Sequence, residues 1–236
     1  MNMVRSDAGS VEVFGKNFQE NELSLKQDVA LMLGACDYYS RRSLGTITDI
    51  FKRFYSNWDD TVYESLLKRF DIDPRKKVKE LSHGMKIKYS LTLALSHKAR
   101  LIILDEPTSG LDPVARDDLL ELFQEMVEDG RKSILYSTHI TSDLEQCADF
   151  ITYIDKGRII ESTTKDELLD KYRLISGSKE QLQELKHDLI SWKNHSFGFR
   201  GLIETGKIPE DGAAAVSQPK LDDIMIYHAK KGKKND

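Results

Sequence analysis

Apolar positions along the chain fall into short unbroken runs separated by helical stripes. Residues 10–14 (SVEVF) alternate and lead into Gly15-Lys16-Asn17, which predicts a strand followed by a turn. Residues 29–33 (VALML) form a continuous apolar run, the pattern of a strand buried on both faces of a parallel sheet. Between residues 46 and 70 the period becomes helical. Ile47, Ile50, Phe51 and Phe54 share one face, Tyr63, Leu66, Leu67 and Phe70 another, and Asn57-Trp58-Asp59-Asp60 separates the two helices. Asp73-Pro74 marks a turn. Ser82 is a good N-cap for a helix running to about His97. Residues 101–104 (LIIL) predict a second buried strand, and a helix comes after it, opened by Pro113 and closed by Gly130. A third strand at 133–137 (SILYS) and a helix at 141–147 come next. Residues 150–154 and 158–161 flank Asp155-Lys156-Gly157, a hairpin signal. Beyond Tyr172 the pattern predicts an amphipathic helix over 179–192, a loop over 211–218 and a solvated basic end, Lys230-Lys231-Gly232-Lys233-Lys234. Weak attraction of that end to an anionic membrane surface is the alternative.

Strands alternating with helices imply an α/β fold with a mostly parallel sheet. The chain has 236 residues, enough for one sizeable domain with an appendage. The expected division is a main domain over 1–172, with a helical insertion at about 46–98, and a C-terminal extension over 173–236. Apolar residues make up 39% and charged residues 31%, a folded rather than a disordered profile. No apolar run approaches the length that spans a bilayer, and the start MNMVRSDAGS has no apolar signal-peptide core. A net charge of −4 gives no case for nucleic-acid binding. Cys36 and Cys147 are too few and too scattered for a disulfide framework or a zinc site, and read as reduced thiols.

The chemistry concentrates between residues 81 and 139. The strand at 101–104 ends in Asp105-Glu106. Ligands bind outside the carboxyl ends of strands in open α/β sheets, so two carboxylates there point to a site rather than to stability. Asp105 suits Mg²⁺, a hard ion that takes few protein carboxylates, and Glu106 can polarise a water for attack on a phosphate. The next strand ends in Thr138-His139, which places His139 within reach of the same crevice and of a terminal phosphate. Leu81-Ser82-His83-Gly84-Met85 opens a helix whose first N–H groups can hold an anion, although alone it is only a capped helix.

Taken together, LSHGM, LIILDEPTSGLD and STH resemble, in order and spacing, the ATPase subunits of ATP-binding cassette (ABC) transporters. The resemblance covers about residues 5–169. It implies an ABC-type P-loop ATPase core that binds ATP and Mg²⁺. LSHGM is similar to the family's signature motif through Ser82 and Gly84, with His83 and Met85 departing from it. LIILDE is similar to Walker B, which makes Asp105 the implied metal ligand and Glu106 the implied catalytic base. Asp112 falls in the implied D-loop and His139 at the implied switch histidine. The implied partners are a membrane-spanning transporter subunit and a second ABC ATPase subunit, identical or not. The implied place is the cytoplasm, on the inner face of the membrane. The SHGMKIKYSLTLALSH stretch and the NWDD turn are most similar to bacterial cassettes of the export type.

Two departures shape the expectation. No G-x-x-x-x-G-K-[ST] occurs in the sequence, and the stretch from Gly9 to Asn17 does not fit it in spacing or setting. Residues 4–16 resemble the segment just after the phosphate-loop helix in the family, so Met1 reads as lying near the end of that helix. Either the start is assigned late or the gene is frameshifted, or the protein is truly shortened; the apolar Met1 and Met3 favour the first pair. A homodimer of the 236 residues would then hold no phosphate loop, whereas a mixed dimer with a complete subunit could form one competent site. The second departure is the family's glutamine after the strand at 29–33, where this sequence has Gly34-Ala35-Cys36-Asp37; Gln27 lies before the strand, and Asp37 is the candidate substitute. The rival reading is a non-catalytic partner that contributes only its signature motif in trans. Translation-factor relatives carry two cassettes where this chain has one, and chromosome or repair types carry coiled coils, of which no sustained heptads occur here.

Overall fold

The computed structural model describes residues 3–4, 6–35, 39–209 and 214–230. Cys36, Asp37 and the basic end from Lys231 lie outside the described residues. The chain forms two compact units, Met1–His139 and Ile140–Asp236.

The first unit opens with a small hairpin, β1 (Glu12–Val13) and β2 (Lys16–Asn17), so Lys16 and Asn17 belong to a returning strand rather than to a turn. Helix α1 (Glu22–Gln27) leads into β3 (Val29–Leu33). Then come α2 (Leu44–Phe51), a 3-10 turn over Lys52–Phe54, α3 (Asp60–Arg69) and α4 (His83–Leu95). Strand β4 (Leu101–Asp105), helix α5 (Pro113–Val127) and strand β5 (Ser133–Ser137) complete the unit. The helices start where the sequence caps them. The Asp59 side chain accepts from the Thr61 and Val62 amides, and Ser82 Oγ from Met85 N–H at 3.2 Å.

A buried hydroxyl network ties the three helices α2, α3 and α4 together. Thr48 Oγ1 lies 2.9 Å from Tyr63 Oη and 3.0 Å from Tyr89 Oη, and Tyr89 Oη–H donates to the Leu44 carbonyl at 2.8 Å. Leu44, Ile47, Ile87 and Leu91 are buried among these helices.

β3, β4 and β5 form a three-stranded parallel sheet, in register Leu31↔Ile103↔Leu135, Met32↔Leu104↔Tyr136 and Leu33↔Asp105↔Ser137. One face, with Met32 and Leu104 almost fully buried, is covered by helices; α5 lays Phe123 against Tyr136, ring centroids 5.9 Å apart. The other face is open at its margins, where Leu33 is 55% and Leu135 60% exposed. Asp105 and Ser137 stand on this open face.

The second unit begins with α6 (Thr141–Cys147) and the antiparallel hairpin β6 (Phe150–Asp155) and β7 (Arg158–Thr164). Helix α7 (Lys165–Lys171) leads into β8 (Tyr172–Gly177). Next come α8 (Lys179–Leu185), β9 (Leu189–His195), β10 (Gly198–Glu204), β11 (Ala215–Ser217) and α9 (Leu221–Lys230). Four of the strands form an antiparallel sheet, order β11-β8-β10-β9. Two predicted elements are corrected here. The helix expected over 179–192 ends at Leu185, because Leu189 and Ser191 alternate inward as a strand paired with β10. The loop expected over 211–218 contains β11, paired with β8. Among the described residues no helix is long and apolar enough to cross a membrane.

Candidate functional site at the strand ends

Parallel pairing brings the ends of β4 and β5 side by side, because Asp105 is in register with Ser137. Ser137 Oγ–H donates to Asp105 Oδ1. That contact fixes the orientation of an exposed carboxylate whose other oxygen takes no part in it. Glu106 comes immediately after and turns the chain. Its φ is +48°, a left-handed conformation at a non-glycine residue that costs on the order of 1–3 kcal/mol. Two contacts from the neighbouring strand end hold it there. Glu106 N–H donates to the Ser137 carbonyl at 3.0 Å, and Glu106 Oε1 accepts from His139 N–H at 3.2 Å. The same oxygen lies 2.8 Å from His139 Nδ1. Glu106 Oε2 is enclosed and accepts no hydrogen bond among the described residues. A carboxylate with one oxygen fixed and the other buried without a donor leaves a polar atom that the described residues do not satisfy, which calls for an explanation.

From Glu106 the chain runs through consecutive turns. Ser109 N–H donates to the Glu106 carbonyl and Leu111 N–H to that of Thr108, each at 3.2 Å, with Thr108 almost fully buried. Asp112 ends the loop as the N-cap of α5, its Oδ1 accepting from Val114 N–H at 3.1 Å and Ala115 N–H at 3.0 Å. The start of α4 rests against this loop. A β-carbon on Gly84 would come within 3.2 Å of Leu111 Cδ2, so only glycine allows that approach without displacement. His83 Nε2 lies 3.3 Å from the Ser109 carbonyl oxygen.

The structure thus brings Asp105, Glu106 and His139 together at adjacent strand ends, and sets Ser82 and Gly84 beside the loop that carries Asp112. His139, expected to reach a terminal phosphate, turns its ring to Glu106. Asp112, expected only as part of the implied D-loop, also caps α5. Ser137 and His83 are participants that motif reading missed. Aligning the ends of the two predicted parallel strands puts Ser137 opposite Asp105, which is the signal that could have found it. Gln27 faces another way: its amide donates to the Phe54 carbonyl at 2.9 Å and its Oε1 accepts from Ser56 N–H at 3.0 Å, tying β3's approach to the segment after α2.

The donor set fits a hard divalent ion. Mg²⁺ is held by one or two carboxylates with waters and phosphate oxygens completing its shell, and Asp105 offers one exposed carboxylate. No cluster of three or more His, Cys, Asp or Glu side chains among the described residues suggests a dedicated all-protein metal site.

Known proteins bear on this arrangement. Residues 44–142 match the family model described as "AAA domain, putative AbiEii toxin, Type IV TA system". The ABC transporter ATP-binding protein YtrB of Bacillus subtilis is 31% identical over 72% of this chain and 58% of its own length. The bacitracin transport ATP-binding protein BcrA of Bacillus licheniformis is 28% identical over 73% of this chain and 57% of its own. The chain therefore spans under two thirds of the length of these relatives. A solved ATP-binding subunit of an ABC transporter superposes with a TM-score of 0.63, 25% identity and 71% of each chain covered. By sequence and by fold together, the chain is a homologue of the ATP-binding proteins of ABC transporters.

Proposed function

We propose that this protein works as the ATP-binding, ATP-hydrolysing subunit of an ABC transporter that drives export. It would sit in the cytoplasm, on the inner face of the membrane, through a membrane-spanning partner. In this reading the ATPase region runs over residues 1–172, with its helical insertion at about 46–98 and an extension over 173–236, although the compact units divide between His139 and Ile140. The observation that carries the proposal is Glu106, held by His139 from the adjacent strand end with its second oxygen enclosed.

Each residue then has a task. Asp105, oriented by Ser137, would hold Mg²⁺, whose contribution when bound is to neutralise charge on the transferring phosphoryl group. Glu106 takes the proton of the attacking water through its carboxylate, and His139 keeps that carboxylate in place. Ser82 and Gly84 open α4, a 13-residue helix whose first amides lack intrahelical partners and can meet the phosphates of a nucleotide bound to a second ATPase subunit. Asp112 orders the loop between these two groups by capping α5.

Positioning and charge neutralisation supply nearly all of phosphoryl-transfer catalysis. The 236 residues contain no phosphate-loop pattern, so this polypeptide alone is expected not to turn over ATP. That observation also favours a second reading, a non-catalytic partner acting only through Ser82 and Gly84. Mixing the chain with a complete ABC ATPase subunit tests the trans role that both readings share. Ser82→Arg here should cut the mixed ATPase activity by about tenfold or more, since it removes a cap and fills the approach to the helix start. Equal activity with and without the substitution would reject that role.

A further inference from the structure

We infer that His83 is a positioning residue, a clamp that holds the Ser109–Gly110 backbone against the start of α4 and so couples the helix start to the loop beginning at Glu106. The inference rests on the proposed function for its catalytic consequence, but not for the clamp itself.

His83 departs from the signature motif that the chain otherwise resembles, so its side chain needs a local explanation. It occupies the first position of α4, and side chains in a helix lean toward the N-terminus, here toward the loop at 106–112. The ring reaches the loop at its most mobile kind of residue. Gly110 has φ +74°, and a β-carbon there would lie 3.1 Å from both Cδ2 and Nε2 of His83. Ring and glycine are therefore in close contact, with Nε2–H donating to the Ser109 carbonyl at 3.3 Å. One residue on, Gly84 packs as closely on Leu111. Two consecutive residues of α4 thus grip three consecutive residues of the loop.

The loop can transmit that grip. Ser109 N–H is bonded back to the Glu106 carbonyl, and Leu111 N–H to that of Thr108. Between the gripped segment and Glu106 lie only Pro107 and the buried Thr108. Glu106 itself sits in a left-handed conformation that persists only while its neighbours hold it. A displacement of the α4 start on meeting an anion would pull Ser109 through His83 and shift the backbone that aims the Glu106 carboxylate. With a small residue in place of His83 the hydrogen bond and the ring contact would both be lost, and the two groups would move more independently.

The ring offers a chemical test. A glutamine places its amide nitrogen where histidine has Nε2, whereas an asparagine reproduces only Nδ1. In the 236-residue chain without nucleotide, amide exchange at Ser109 and Leu111 should speed up about three- to tenfold in His83→Asn and return toward wild type in His83→Gln, the change expected for one exposed hydrogen bond. Protection along the rest of α4 should stay unchanged in both, which separates the clamp from general loosening. Equal exchange at Ser109 and Leu111 in all three proteins overturns the inference. In a mixed assembly with a complete ABC ATPase subunit, His83→Asn should lower kcat several-fold with KM for ATP unchanged, and His83→Gln should restore it. If exchange behaves as expected but the wild-type assembly shows no ATP turnover, the proposed function fails while the clamp stands. If turnover is present and His83→Asn leaves kcat intact, the clamp does not position the helix start for the partner's nucleotide.

Discussion

The two main sheets of this protein differ in what covers them and in what they carry. The antiparallel sheet β11-β8-β10-β9 encloses the apolar residues of its central strands, with Ile175, Phe199, Leu202 and Ile203 all 0% exposed, and leaves its edge strand β11 open, where Val216 is 45% exposed. It carries no recognisable chemical motif. The parallel sheet β3-β4-β5 is closed on one face only, and its open face bears Leu33, Leu135 and the carboxylate of Asp105. Parallel sheets are ordinarily buried on both faces. Chemistry and incomplete cover coincide in one sheet, and tight packing without chemistry marks the other.

Substitutions can break or sharpen this contrast. The largest effect belongs to the closed sheet. Leu202→Ala removes a fully buried side chain and should cost about 2–5 kcal/mol in the urea unfolding of the second unit. Leu135→Ala, on the open face of the parallel sheet, should cost under about 1 kcal/mol. Similar costs at the two positions would dissolve the distinction. A middle-sized effect is expected where the first unit is well closed. Tyr89→Phe removes the hydroxyl that donates to the Leu44 carbonyl and pairs with Thr48, which keeps Tyr63, at about 1–3 kcal/mol.

The smallest effect is a pH dependence in the second unit. Burial acts to raise the Glu161 carboxyl, but hydrogen bonds from Lys171 at 2.6 Å and Tyr172 at 2.5 Å oppose it and prevail, so its pKa lies below the ordinary value. A folded pKa below the unfolded one, about 4.3, stabilises the protein above that pH. The contribution fades as pH falls through the lowered folded value. Glu161→Gln should therefore flatten the acid side of the stability profile and leave its slope above about pH 6 alone. An acid limb identical in both proteins would mean that the pairing contributes nothing.

The same contrast explains what could be read in the sequence. The parallel sheet was legible because its strands are unbroken apolar runs and its helices carry their own caps, Ser82, Asp59 and Asp112-Pro113. Asp105, Glu106 and His139 were singled out because they stand at or just past the ends of those strands. The antiparallel sheet was not. Leu182, Leu185 and Leu189 are spaced three and four residues apart and imitate one helical stripe, yet Leu189 belongs to β9. Pairing with β10, which lies later in the chain, decides the matter, and no local pattern contains that information. His83 and Ser137 were missed for a related reason. Their partners, Ser109 and Asp105, lie 26 and 32 residues away and meet them only through loop packing and strand register.

The most direct test of the central claim concerns Glu106. In a version of this chain extended at its N-terminus by a phosphate-loop strand, loop and helix, so that Glu106 belongs to a site able to hold the phosphates, Glu106→Gln should keep the affinity for ATP. The substitution preserves shape and the contact with His139 but removes the proton acceptor, so single-site turnover should fall by about a hundredfold or more. Unchanged turnover, with the variant folded and ATP bound, would contradict Glu106 as the base and with it the reading of the strand ends as a hydrolytic site.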